Sequence, residues 1–386
     1  MTFYGYKRPD GRVGVRNHIL ILPASVCASD TTRIVANQVN GAVTFNNQQG
    51  CSQVAPDMEM TMDVLAGYAA NPNVYGTVVI SLGCENCQMD LVVAAIQERT
   101  NKPLKQVIIQ EVGGTLKAVD IAVRYAKEMA AEASLLRREE FPLSELILGT
   151  ECGGSDPTSG LASNVLIGEL SDRLVAEGAT SVLSETTEFI GGEHILARRA
   201  KDQEVHDRIL DIVHRYEKHI QGVGEDVRHG NPSPGNIAGG LTTLEEKSLG
   251  CIHKGGHSVI NAVYDYAKQL KAKEGLVIMD TPGNDPSSVA GMVAGGCQVC
   301  IFSTGRGTPT GNPICPVIKI TGNRITFANM VDNIDYDASP YIYGGDLKEM
   351  GGELLNMVAE VASGKLTKAE ALGYTEMAIA RQCNYV

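Results

Sequence analysis

Three cysteines stand where short apolar runs give way to glycine-rich polar turns. Cys51 lies in NNQQGCSQ, Cys84 in SLGCENC and Cys152 in GTECGGSD. A neighbouring glycine lets backbone approach a ligand closely. Three thiolates converging from three strand ends could hold an iron–sulfur cluster or a single iron and leave one position open for substrate. The alternative is that each is a small buried residue, because unpaired cysteine is among the most buried types. Their shared place at strand ends beside polar residues favours ligation, so Cys51, Cys84 and Cys152 are the expected metal ligands. Cys84 and Cys87 form a C-x-x-C, a spacing used by zinc sites and redox dithiols, yet no second pair stands at zinc-ribbon distance. Cys297 and Cys300 fall inside an apparent strand, where an i, i+3 spacing predicts opposite faces. Cys27, Cys251, Cys315 and Cys383 are expected to be structural.

Other polar loops supply acid–base and anion-binding groups. STGRGTPTGNP (303–313) follows an apolar run and offers Arg306 among glycines and threonines, a planar guanidinium suited to a carboxylate, phosphate or sulfonate. The plainer reading is a glycine-rich turn with a solvated arginine. GCIHKGGHS (250–258) brings His253, Lys254 and His257 together as acid–base groups or anion contacts, or as an ordinary helix start. SETTEFIGGEH (184–194) gathers Glu185, Glu188, Glu193 and His194, which could bind a hard cation, act as base, or simply cap a helix. The expected catalytic residues are His194, Lys254 and His257, with base and acid unassigned. Arg306, Glu188, Asp156 and Thr308 are the expected substrate contacts.

Such loops need a scaffold of strands. Apolar runs at 19–23, 77–82, 106–112, 146–149, 181–184, 276–279 and 299–302 read as parallel strands covered on both faces. Amphipathic stretches at 91–98, 116–131 and 205–219 read as helices. The alternation predicts an α/β fold with parallel sheets in a Rossmann-like layered architecture. In open parallel sheets a ligand sits beyond the carboxyl ends of the strands, where the three cysteines fall. The 386 residues suit two domains, divided at 140/141 where a charged helix end meets Phe141-Pro142. RHGNPSPGNIAGG (228–240) reads as a long functional loop.

The formal net charge of -12 argues against a nucleic-acid partner. No run of about 18 apolar residues exists to cross a membrane. Arg and Asp in MTFYGYKRPDGRVGVRN occupy the place of a signal peptide's apolar stretch, so a cytoplasmic location is expected. The ten cysteines are then thiols, ligands or catalytic groups rather than disulfides. No G-x-G-x-x-G follows the first strand and no P-loop is present, which weakens a nucleotide-dependent reading.

Taken in order, GYKRPDGRVGVRN (5–17), QGC (49–51), SLGCE (81–85), TECGGSD (150–156), ETTEFIGGEHILARRA (185–200), NPSPGNIAGGLTTLEEKSLGCIHKGG (231–256), DTPGNDPSSVAGMVAGG (280–296) and TGRGTPTGNPICPVIKITGN (304–323) carry a resemblance. The chain resembles, end to end, the large-subunit region of the altronate/galactarate dehydratase family, which includes the large subunit of sulfolactate sulfo-lyase. The resemblance implies a second-domain-like unit at 1–140 and a C-terminal-domain-like unit at 141–386. It also implies an iron-dependent lyase that removes water, or sulfite, from a small 2-hydroxy-acid to give a 2-keto acid. Many members carry a small N-terminal SAF-type domain. Here it is expected on a separate small subunit, and the chain itself is expected to form a homo-oligomer. The alternative from another class is a binding or scaffold subunit whose partner carries the chemistry. His257, and Tyr336–Ser339 after DNID, depart from the family pattern.

Overall fold

A computed structural model describes residues 1–383. The sequence alternates buried apolar strands with helices, and the strands assemble into two parallel sheets and one small antiparallel one. The larger sheet runs Ile260–Tyr264, Gly275–Met279, Thr180–Leu183, Ile147–Cys152, Val299–Ser303, Val317–Thr321, Tyr336–Asp337, with every pairing parallel. Its central strands are buried along their whole length because helices cover both faces. From Ile147–Cys152 the chain steps to Thr180–Leu183 on one side and later returns to Val299–Ser303 on the other. This reversal of winding direction opens a crevice at the carboxyl ends of the strands.

The smaller parallel sheet runs Ala42–Val43, His18–Pro23, Val74–Ser81, Leu104–Ile108. Thr2–Lys7 pairs antiparallel with Val13–Gly14 and with Glu139–Pro142. The expected division at 140/141 therefore falls inside a strand that pairs back to the start of the chain.

The sheets share a core. Helix Ala55–Ala70 packs on helix Asp285–Gly295, and a Cβ on Gly67 would collide with the backbone of Ala294. Leu20, Leu22, Phe45 and Tyr68 of the first half belong to one apolar cluster with Val289, Met292, Phe302 and Ile314 of the second. No helix among the described residues is long and apolar enough to cross a membrane.

All seven expected runs contain strands, but two local readings need correction. The run at 106–112 stops being a strand at Ile108 and turns into a short helix, Ile109–Val112. Its neighbour Val74–Ser81 has ended opposite Ile108, so no ladder remains to pair with. Cys297 and Cys300 do not face apart. Cys297 precedes the strand, just after the left-handed Gly296, so strand alternation does not govern the pair. A Cβ on Gly149 would lie 3.3 and 3.0 Å from their respective sulfurs.

Candidate active site

Two carboxyl ends of the larger sheet, and one helix with the turn after it, build a buried polar cluster. Strand Ile147–Cys152 ends by burying Glu151 and Cys152. After Thr180–Leu183 the chain places Glu185 in the left-handed region, with φ 68, a strained setting for a non-glycine residue. Helix Leu244–Ile252 and the turn His253–Gly255 carry Cys251 and Lys254, whose i, i+3 spacing puts them on one face. Lys254 is fully buried. Its ammonium donates to Cys152 Sγ and Cys251 Sγ, both at 2.9 Å, and to Glu185 Oε2 at 2.5 Å.

Charge in so dry a place must balance locally. A hydrogen bond from Cys251 and the ammonium of Lys254 hold the Cys152 thiol well below its ordinary range, against the opposing effect of burial. Burial tends to discharge Lys254, but Cys152, Cys251 and Glu185 around it keep it charged. Burial, then the Cys152 charge, push Glu185 well up. Glu185 Oε2 accepts from Lys254 and from the Cys152 N–H at 2.8 Å, and its Oε1 lies 3.6 Å from Cys152 Sγ. Below it, Glu151 Oε2 accepts from Ser288 and Ser184 at 2.6 and 3.0 Å, and burial raises its pKa well above the usual range.

Above the cluster opens a cleft of about 710 Å³. Cys152, Gly153 and Gly154 line one wall. Thr187, Glu188 and the turn Pro282–Asp285 line another, and the segment from Tyr216 to Asn236 covers it. Glu188 Oε1 accepts from Lys247 Nζ at 2.9 Å and from Asn231 Nδ2 at 3.0 Å, while its buried Oε2 has no partner among the described residues. Burial lowers the Lys247 pKa, but Glu188 beside it raises it further, so Lys247 stays an ammonium. Asp285 opens its helix with the carboxylate against Gly153, where any Cβ would collide. Burial, then the charge of Cys152, raise its pKa to about 6.

Two family models cover nearly the whole chain: "D-galactarate dehydratase/Altronate hydrolase, second domain" matches residues 5–134, and "D-galactarate/Altronate dehydratase, C-terminal" matches 143–385. The chain belongs to the D-galactarate/altronate dehydratase family. It is 38% identical to the altronate dehydratase of Bacillus subtilis (strain 168), over 98% of this chain and 77% of that protein. It is also 38% identical to the (2R)-sulfolactate sulfo-lyase subunit beta of Chromohalobacter salexigens, over 98% and 97%. Against the galactarate dehydratase (L-threo-forming) of Escherichia coli (strain K12) identity is 34%, over 94% and 73%. Like these relatives, this family member is a lyase.

Within this dehydratase-family fold the expected site residues fall into four groups. Cys152 and Glu188 line the cleft, and Lys254 lies directly beneath Cys152. Arg306 is exposed at the rim, its backbone N–H donating to Gly154 O at 2.8 Å and its guanidinium free of partners among the described residues. Thr308 bonds Thr310 at 2.8 Å nearby. Asp156 is committed to structure: Oδ1 accepts from Thr158 and Ser159, and Oδ2 from Asn323. His194 and His257 are exposed and outside the cleft lining, on the outer side of their turns.

Cys51 and Cys84 lie on loops of the smaller sheet, tied together where Cys87 N donates to Gly50 O at 2.9 Å. They do not gather with Cys152. Among the described residues the group with ligand atoms all within 4.8 Å is Cys152, Glu185 and Cys251. Two sulfurs and a carboxylate are donors that could hold a metal such as iron. The Lys254 ammonium now stands among them, so a metal ion and this side chain compete for the same atoms. Sequence reasoning took Cys251 as structural and passed over Lys247 and Asp285. The i, i+3 spacing of Cys251 and Lys254 was the available signal. Asp285 and Lys247 gave none, because only tertiary convergence brings them to the cleft.

Proposed function

We propose that the chain is an iron-dependent hydro-lyase that removes water by β-elimination from a sugar acid such as altronate, giving a 2-keto-3-deoxy acid. The observation that carries this reading is the pairing of Asp285 and Lys247 in one cleft over the Cys152–Lys254 cluster. The C2 proton of a hydroxy-acid is weakly acidic, and its removal needs a base whose pKa lies near the working pH. Asp285, at about 6, is ionised at neutral pH yet still basic. Lys247 keeps its ammonium and serves as the acid for the departing hydroxyl. Lys254 is sealed below the floor, so it does not touch substrate.

Iron would be held by Cys152, Glu185 and Cys251, in the place that the Lys254 ammonium takes here. Bound there it would supply Lewis-acid stabilisation of the enediolate charge. The cleft's own side chains favour a polyhydroxy substrate. Glu188, Glu225, Asp226 and Asp285 offer acceptors for hydroxyl groups, while Lys247 is engaged by Glu188 and His229 by Glu225 at 3.0 Å. Arg306 favours a second reading. An unpartnered guanidinium beside Gly154 suits a sulfonate, as in sulfolactate, whose sulfo-lyase subunit beta is among the relatives. That relative's designation as a subunit supports a separate small subunit here too.

The test is anaerobic assay of the purified chain with Fe2+ on altronate, galactarate and sulfolactate, with and without a small SAF-type subunit. The expected result is 2-keto acid from a sugar acid, accompanied by stoichiometric iron. Sulfite from sulfolactate alone would favour the second reading. Iron-loaded protein that releases neither product with any substrate would refute both.

A further inference from the structure

Cys251 has no part in the elimination beyond its place in the donor set, yet its sulfur is held close to that of Cys152, which lines the cleft. Cys152 and Cys251 come from a strand end and a helix end nearly a hundred residues apart. Each sulfur accepts from the same Lys254 ammonium at 2.9 Å, and the two sulfurs lie within 4.8 Å of each other. The two differ in access. Cys152 lines the cleft, whereas Cys251 is absent from its lining and packs among Leu183, Leu244 and Ile252. Both are buried, but Cys152 borders the cleft that a small oxidant can enter and Cys251 lies behind it, the arrangement of an attacking thiol and a resolving thiol.

We propose that Cys152 and Cys251 form a peroxide-oxidisable dithiol that closes to a disulfide and thereby disables the cleft. The Cys152 thiolate attacks hydrogen peroxide, the O–O bond breaks, and with one proton taken up the products are Cys152 sulfenic acid and water. The Cys251 thiol then attacks that sulfur. The S–O bond breaks, the hydroxyl leaves with the Cys251 proton as a second water, and an S–S bond forms. Two thiols are oxidised and one peroxide is reduced to two waters. The Lys254 ammonium, 2.9 Å from Cys152 Sγ, favours the first step because a neighbouring cation makes a cysteine more reactive. Closure to a bond of about 2.05 Å needs side-chain rotation at both cysteines and withdrawal of Lys254 from between them. The disulfide removes the negative charge from the cleft floor and two of the three metal donors together. The proposal does not depend on which acid the enzyme dehydrates.

The test is peptide mapping of the wild-type chain after graded hydrogen peroxide, with free thiols blocked before non-reducing digestion. A linked peptide pair containing Cys152 and Cys251 is expected at doses that leave the buried Cys297, Cys300 and Cys315 alkylatable after unfolding, and dithiothreitol should reverse it. In Cys251→Ser the linked pair should vanish and Cys152 should proceed to sulfinic acid. Lys254→Met should slow oxidation of Cys152 by about tenfold or more, because the cation held 2.9 Å from its sulfur is gone. The mapping needs no turnover, so it stands whether or not the lyase assay succeeds. Cys152 and Cys251 both remaining alkylatable while the exposed Cys27, Cys84 and Cys383 oxidise would overturn the proposal.

Discussion

Asp285 owes its raised pKa first to burial and then to the neighbouring Cys152 charge, and both depend on Gly153 leaving room for its carboxylate. A base must be ionised to accept the C2 proton, so kcat/KM should fall as pH drops through about 6. Asp285→Asn should lower kcat by roughly 10²–10⁴-fold, the usual contribution of a positioned base, and erase that acid limb. A pH–rate profile that keeps its limb in the variant would move the role to another group. At this scale the sequence was partly readable. Cys152 and Glu188 were visible as polar residues just past apolar strands, and Lys254 as a cation in a glycine-broken loop. His194 and His257 carried the right chemistry but lie on the solvent side of their turns. Residue type and loop location do not say which way a short helix faces, and that orientation separates Lys254 from His257 only three residues later.

At the scale of elements, the helix that presents Asp285 is fixed by its contact with helix Ala55–Ala70. Gly67 allows the two backbones to meet at Ala294. Gly67→Ala puts a methyl group where the Ala294 carbonyl lies, so the helices must separate. The expected cost is about 1–3 kcal/mol of stability, the usual penalty for overpacking, measured by denaturant titration. A fall in kcat should accompany it as Asp285 shifts. An unaltered midpoint would mean the interface absorbs the methyl freely. Neither helix was anticipated. Val64–Ala70 and Ser287–Gly295 are buried continuously, so no polar face marks a helical period. Strand Val317–Thr321 was hidden for a different reason. Lys319 interrupts its apolar run, yet it is buried and donates to the carbonyls of Pro309 and Thr310 at 3.3 and 2.8 Å. The strands that were read correctly are the uninterrupted apolar ones, where burial on both faces leaves a plain mark in the sequence.

At the scale of the whole molecule, the two matched regions meet through a shared core, and buried asparagines stitch it. Asn71 Nδ2 donates to Val293 O and Cys297 O at 2.8 and 3.0 Å. Asn73 accepts from Val15 N at 2.8 Å and donates to Gln298 O and Ile314 O, both at 2.9 Å. Tyr68, fully buried in the first half, accepts from Asn312 of the second at 2.8 Å. The core shared across the division at 140/141 predicts that the two sequence regions unfold as one unit. Asn73→Ala leaves three backbone groups buried without partners, each costing about 1–3 kcal/mol, so a total loss of about 3–5 kcal/mol is expected after partial relaxation. That loss should lower one common midpoint. The chain has no tryptophan, so near-ultraviolet dichroism reports tyrosines, including Tyr68 at the junction. It should melt together with the far-ultraviolet signal of the whole backbone, in the wild type and in the variant alike. Two separated transitions in the wild type, or a cooperative transition from residues 1–140 expressed alone, would show that the halves stand independently and that these asparagines join domains already folded.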